Sequence, residues 1–218
     1  LVDKAIENSG IARSQISKMG CLPPLAASYV AEAAPDYAKA RSDYEQLIEA
    51  QIDYVDGFLV ETMSNTIEMT AARDALVAAG QLVRIGLTVE DDGTNRLRSG
   101  ELLSKAIEEL SNGPTESVLI NCSQPEVVTR AFDELRKIGC AYGAYANGFK
   151  TVAPLRPGGT VKELEYRVDL GPDKYTEYVL NWIESGASIV GGCCEISPAH
   201  IAQINQSLID LGVSVVSF

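Results

Sequence analysis

Five cysteines stand at positions 21, 122, 140, 193 and 194, and three of them share a setting that could do chemistry. Cys122 directly follows the apolar run Ser-Val-Leu-Ile-Asn, and the adjacent pair Cys193 and Cys194 directly follows Ser-Ile-Val-Gly-Gly. If both runs are strands of a parallel sheet, their C-terminal ends open at one mouth, where such folds build their sites. Thiols about 70 residues apart in the chain then meet in space. Neighbouring residues of a regular strand point to opposite faces, so Cys193 and Cys194 can serve one ion only where the chain leaves the pleat. Gly191 and Gly192 allow that turn.

Three thiolates with one open position describe a catalytic zinc rather than a structural one, and soft sulfur selects Zn²⁺ over Mg²⁺ or Ca²⁺. A free thiol titrates near about 8.5, and a substrate thiol taking the open position would lose its proton there. Three anionic sulfurs make the zinc a poor Lewis acid, so that thiolate stays electron-rich and suited to attack on an alkyl carbon. Two other readings stay open on spacing alone. Cysteine is often a plain buried residue, and a vicinal pair can be a redox couple, although it closes a strained ring. Zinc-activated water for hydrolysis is disfavoured, because such sites want histidine or carboxylate ligands and the chain has one histidine.

The formal net charge of −12 disfavours nucleic acid and anionic membrane as partners, since both need basic patches. No apolar stretch approaches the roughly 18–20 residues of a membrane span, and no signal peptide is visible. The odd, irregularly spaced cysteines fit a reducing, cytoplasmic setting better than a secreted disulfide framework. The chain opens on LVDKAIENSG, which reads as the middle or end of a helix and suggests that N-terminal sequence is missing.

The elements that must position the thiols alternate. KMGCLPPL holds a short strand, and 36–55 carries Tyr37, Ala40, Tyr44, Leu47 and Ile48 at helical spacing. Gly57–Glu61 is a continuous apolar run of the doubly buried kind. A helix follows, with Asn65 as N-cap, Glu68 three residues on as a cap rather than a ligand, and Gly80 as its stop. Then come a strand at 83–89, a helix at 101–110, a strand at 117–120 and a helix that Ser123 caps, with Pro125 in its first turn and Glu126 completing a capping box. A strand at 142–146 precedes a Gly- and Pro-rich segment, 147–170, whose length suggests function or mobility. A helix at 173–184, a strand at 188–190 and a helix opened by Ser197-Pro198 follow, and VSVVSF forms a β-like tail. About six strand–helix units imply a parallel α/β sheet, either doubly wound or a (β/α)8 barrel. No glycine-rich nucleotide motif follows any strand.

INCSQPE at 120–126 and IVGGCCEISPAHI at 189–201 resemble the two zinc-binding motifs of the homocysteine S-methyltransferase family. LVETMSNTIEMTAA at 59–72, CLPPLAASYVAE at 21–32 and Tyr145-Ala146-Asn147-Gly148 are similar to further family segments. The resemblance implies a (β/α)8 TIM barrel of which about six units are present, with strands one and two, including an Asp-Gly-Gly segment, missing. Residues 1–218 would then be a single homocysteine-binding barrel domain, incomplete at its N-terminus. It implies Zn²⁺ on Cys122, Cys193 and Cys194, Glu61 as the carboxylate for the homocysteine amine, and Asn147 near the substrate. Asn121 would either orient the metal loop or end its strand. Cys21 and Cys140 match no motif and read as core, and the three thiolates leave His200 no place as a ligand. The partners implied are homocysteine and a small methyl donor, S-methylmethionine or S-adenosylmethionine being favoured because no folate or cobalamin module is appended; methionine would be the product. The alternative is a non-catalytic zinc-binding barrel fragment.

Overall fold

A computed structural model describes residues 2–155 and 159–215. An initial helix, α1 (Val2–Ser9), leads to β1 (Met19–Leu22). Five further strand–helix alternations follow: α2 (Tyr37–Gln51), β2 (Gly57–Met63), α3 (Thr66–Ala78), β3 (Arg84–Leu87), α4 (Leu103–Ser111), β4 (Ser117–Asn121), α5 (Pro125–Leu135), β5 (Ala141–Tyr145), α6 (Pro172–Glu184), β6 (Ile189–Val190) and α7 (Pro198–Asp210). The strands form one parallel sheet in the order β1-β2-β3-β4-β5-β6. A doubly wound sheet reverses its strand order part way; the strictly sequential order here is the course of a TIM barrel.

Local chemistry sets the boundaries. Asp36 caps α2 by accepting from Lys39 N at 3.0 Å, and Asn65 caps α3 by accepting from Glu68 N at 2.8 Å. Ser197 and His200 form a capping box on α7, with Pro198 in its first turn. One sequence expectation fails here. The N-cap residue of α5 is Gln124, not Ser123. The Ser123 hydroxyl turns away to accept from Val89 N at 3.0 Å and meet Thr88 Oγ1 at 3.2 Å, and Glu126 pairs with Arg167 instead of closing a capping box. The β-like tail is irregular over 213–215; its last three residues, and 156–158 of the Gly/Pro-rich segment, lie outside the described residues.

Strand alternation divides the sheet into two faces. Phe58, Val60, Ile85, Val118, Ile120 and Ala144 join the apolar core beneath the helices, together with Tyr44, Met69, Leu76, Phe132 and Trp182. Cys21, Glu61, Gly86, Asn121 and Tyr145 fall on the other face, the inner one. Among the described residues no helix is long and apolar enough to cross a membrane.

Candidate metal and substrate site

The inner face departs from regular geometry at its C-terminal ends. Val60 pairs with Ile85 and Met63 with Leu87, so β2 spends one residue more than β3 between these pairs. This is a β-bulge, a device that re-aims side chains beside active sites. It lies at Glu61 and Thr62, and Thr62 has φ +62°. Asn121, at the end of β4, holds it: Thr62 N donates to Asn121 Oδ1 at 3.0 Å and Asn121 Nδ2 donates to Thr62 Oγ1 at 2.8 Å, all buried. Gly86 makes room for this clamp, since a Cβ there would stand 2.8 Å from Asn121 Oδ1 and 2.7 Å from the Tyr145 hydroxyl. Neither the bulge nor the role of Gly86 has a sequence motif.

Cys122 follows Asn121 with φ +47°, and Glu195, just past the vicinal pair, has φ +64°. Side chains this far into the left-handed region are uncommon and persist where the surroundings over-determine them, often at functional sites. The turns bring the three sulfurs together, all within 4.8 Å of one another. Cys122 to Cys193 is 2.8 Å, Cys122 to Cys194 3.6 Å and Cys193 to Cys194 3.9 Å. Backbone bonds fix the frame: Cys122 N donates to Tyr145 O at 3.1 Å, Cys193 N to Ala146 O at 2.9 Å and Gly148 N to Cys194 O at 2.8 Å. From behind, the buried Tyr175 hydroxyl donates to Gly191 O at 2.8 Å and accepts from Ala146 N at 3.0 Å.

The donor set fits a tetrahedral metal. Zn–S bonds of about 2.3 Å at tetrahedral angles place sulfurs about 3.8 Å apart. Two of the three separations match, and the shortest must open by about 1 Å around an ion. The electrostatics agree. Thiol hydrogen bonds from Cys122 and Cys193 hold Cys194 down to about 3, while the bonds from Cys193 to Cys122 and Cys194, with burial, push Cys193 far above the usual thiol range. Three thiolates this close repel one another, and a cation between them offsets that repulsion.

The other residues singled out in sequence fall as follows. Glu61 is half-buried beside the Tyr145 hydroxyl, which donates to Oε1 at 3.3 Å, and the Cys21 thiol, which donates to Oε2 at 3.2 Å. The sequence reading of Cys21 as core is therefore corrected: the residue is exposed on β1, and partial desolvation of its thiol, with Glu61 beside it, pushes it up to about 12. Burial, with the Glu61 charge beside it, also drives Tyr145 well above the usual phenol range, so it stays a donor. Asn147 is buried; its Oδ1 accepts from Phe149 N at 3.2 Å while Nδ2 has no partner among the described residues. Its backbone N bonds Ser123 O at 3.0 Å. Cys140 packs partly buried against the core. The Glu68 carboxylate is buried and accepts from Leu25 N at 2.9 Å and Asn65 Nδ2 at 3.1 Å, anchoring the loop after β1. His200 is committed to its cap and to Leu170 O at 3.0 Å.

A barrel-type α/β chain with a cluster of three thiols at its strand ends is thus the class that fold and site define. The profile of the homocysteine S-methyltransferase family matches residues 1–208, and the chain belongs to that family. It is 27% identical over 153 residues to homocysteine S-methyltransferase 2 of Arabidopsis thaliana, covering 69% of this chain and 44% of that protein. It is 28% identical over 157 residues to the selenocysteine methyltransferase of Astragalus bisulcatus, covering 71% of this chain and 45% of that one. The chain thus spans less than half the length of these curated relatives. Among solved structures, the metallated form of the homocysteine methyltransferase MmuM from Escherichia coli superposes with a TM-score of 0.64 at 21% identity, over 82% of this chain and 55% of that one. The carboxyl transferase domain of Rhizobium etli pyruvate carboxylase matches with a TM-score of 0.56 at 14% identity, over 89% of this chain and 31% of that one. At these identities the structural likenesses speak to fold alone.

Proposed function

We propose that residues 1–218 form one homocysteine-binding barrel domain that works in methyl transfer from a small donor to the sulfur of homocysteine, with Zn²⁺ held by Cys122, Cys193 and Cys194. The observation that carries this reading is the convergence of these three sulfurs within 4.8 Å at the strand ends of a chain of this family. Zinc, when bound, supplies a position where a substrate thiol sheds its proton at neutral pH.

The chain's own residues do the rest. Glu61 holds the homocysteine ammonium; the Tyr145 hydroxyl and the Cys21 thiol, each donating to one carboxylate oxygen, keep it oriented. Asn121, the residue that precedes Cys122, is bonded to Thr62 in the Glu61 bulge, so the amine-binding carboxylate and the metal loop keep a fixed relation. Asn147, with a spare buried Nδ2, offers a donor beside the substrate. The homocysteine sulfur forms the new S–CH₃ bond as the donor's bond to that methyl breaks, and the electron pair leaves with the donor. A sulfonium donor, S-methylmethionine or S-adenosylmethionine, loses its positive charge in this step, which exclusion of water favours. We place this reaction in methionine formation in the cytoplasm.

Zinc-loaded protein is incubated with homocysteine and, in turn, S-methylmethionine, S-adenosylmethionine and betaine, and methionine is quantified. Turnover with a sulfonium donor supports the reading. Bound zinc without methionine from any donor leaves a zinc-holding barrel segment and removes catalysis by this chain.

A further inference from the structure

Of the three sulfurs, Cys122 is the one shut away from water, at 2% exposure, whereas Cys193 is partly exposed and Cys194 open. Three thiolates around a divalent cation leave a net negative cluster, and each sulfur is steadied by hydrogen-bond donors. Water can serve Cys194. It cannot serve Cys122, whose partners among the described residues are the other two thiols and one hydroxyl: Tyr29 Oη donates to Cys122 Sγ at 2.8 Å.

We propose that Tyr29 is a positioning residue of the metal centre, donating a hydrogen bond to the buried Cys122 sulfur, and that Arg98 holds it in place. This rests on the three-thiolate reading above. Tyr29 sits in the loop after β1 with φ +69°, a conformation tyrosine rarely adopts. The same loop is anchored at Leu25 N by the buried carboxylate of Glu68. The Arg98 guanidinium stacks 5.3 Å from the centre of the Tyr29 ring, and the Arg98 side chain is only 6% exposed. Its Nε donates to Thr88 Oγ1 at 3.1 Å, and Thr88 Oγ1 donates to the Cys122 carbonyl at 3.4 Å. Arg98 thereby supports two arms that grip the same cysteine, one on its sulfur and one on its backbone. Asp91 balances the charge, accepting from Arg98 Nη2 at 3.0 Å and from Thr151 Oγ1 at 3.0 Å. The loops that hold Tyr29, Arg98 and Thr151 are thus tied to one another beside Cys122.

The test compares wild type, Tyr29→Phe and Arg98→Met. Zinc affinity is measured by chelator competition, the sulfur-to-metal charge-transfer band after Co²⁺ substitution, and thermal unfolding without metal. Tyr29→Phe keeps the ring and loses the hydroxyl. It is expected to bind zinc ~10-fold or more weakly, in the range of lost outer-shell partners of metal ligands. Its charge-transfer band is expected at lower energy, because the undonated sulfur is richer in electrons, and its metal-free unfolding temperature should fall by no more than the loss of one hydrogen bond explains. Arg98→Met should shift affinity and band in the same direction, and carries the test if Tyr29→Phe does not fold. Unchanged affinity and band in Tyr29→Phe overturn the role of Tyr29 while leaving the three-thiolate site standing. A wild-type chain that takes up no zinc overturns both.

Discussion

The two faces of the sheet are made by alternate residues of the same strands, yet they obey different rules. Beneath the helices lie Phe58, Val60, Ile85, Val118, Ile120 and Ala144, buried, apolar and in regular register. On the inner face lie Cys21, Glu61, Gly86, Asn121 and Tyr145, mostly polar, interrupted by a bulge and flanked by side chains in the left-handed region. The apolar burial that drives folding lies on the first face. The proposed chemistry lies on the second, where a few directional bonds hold unfavourable backbone conformations in place.

That division can be broken by substitutions that should separate folding from binding. The largest effect on stability is expected from Phe58→Ala, which empties a fully buried site under the helices. Urea unfolding should show a loss of about 3–5 kcal/mol, while the folded fraction keeps its metal stoichiometry. Loss of metal without loss of stability would erase the distinction. Asn121→Ala comes next. It strips the buried Thr62 N of its partner, which costs about 1–3 kcal/mol, and frees the bulge that carries Glu61. The KM for homocysteine should therefore rise more than kcat falls; a fall in stability with KM unchanged would make Asn121 purely structural.

A smaller effect should follow pH. Burial raises the Glu126 carboxyl, but hydrogen bonds from Arg167 and Tyr178 outweigh it and leave its pKa below the ordinary value. A carboxylate lowered in the folded state contributes stability above its unfolded pKa, about 4.3, and loses it as pH falls through the folded value. The pair is partly exposed, so the contribution is about 1 kcal/mol or less. Arg167→Met should flatten the stability–pH curve below about pH 4.5; an unchanged curve would remove this tie between the 147–170 segment and α5. Smallest in stability is Glu61→Gln, within about 0.5 kcal/mol. Its zinc content should match wild type while the homocysteine KM climbs, and an unaltered KM would detach Glu61 from the substrate.

The face that carries stability was the readable one. Continuous apolar runs such as Gly57–Val60 and Ser117–Ile120 announce strands covered on both sides, and the caps at Asn65 and Ser197 depend on neighbours three residues away. The meeting of Cys122 with Cys193 and Cys194 was also legible, because each follows a strand and parallel strands end together. What depends on partners distant in sequence was not. The bulge exists only relative to the register of β3, and the room at Gly86 only relative to Asn121 and Tyr145. Tyr29 reaches Cys122 from 93 residues away. Ser123 looked like a cap because its local pattern suits one; Thr88 and Val89, brought alongside by the sheet, claim its hydroxyl instead. Cys21 matched no motif, and only the placement of Glu61 on the neighbouring strand gives its thiol a partner.

The most direct test of the central claim is the zinc content of the purified, folded chain, beside Cys122→Ser, Cys193→Ser and Cys194→Ser. About one zinc per chain, lost in each of the three substitutions, is the expected result. A folded wild-type chain without zinc, or one whose zinc survives any of the three substitutions, would contradict it.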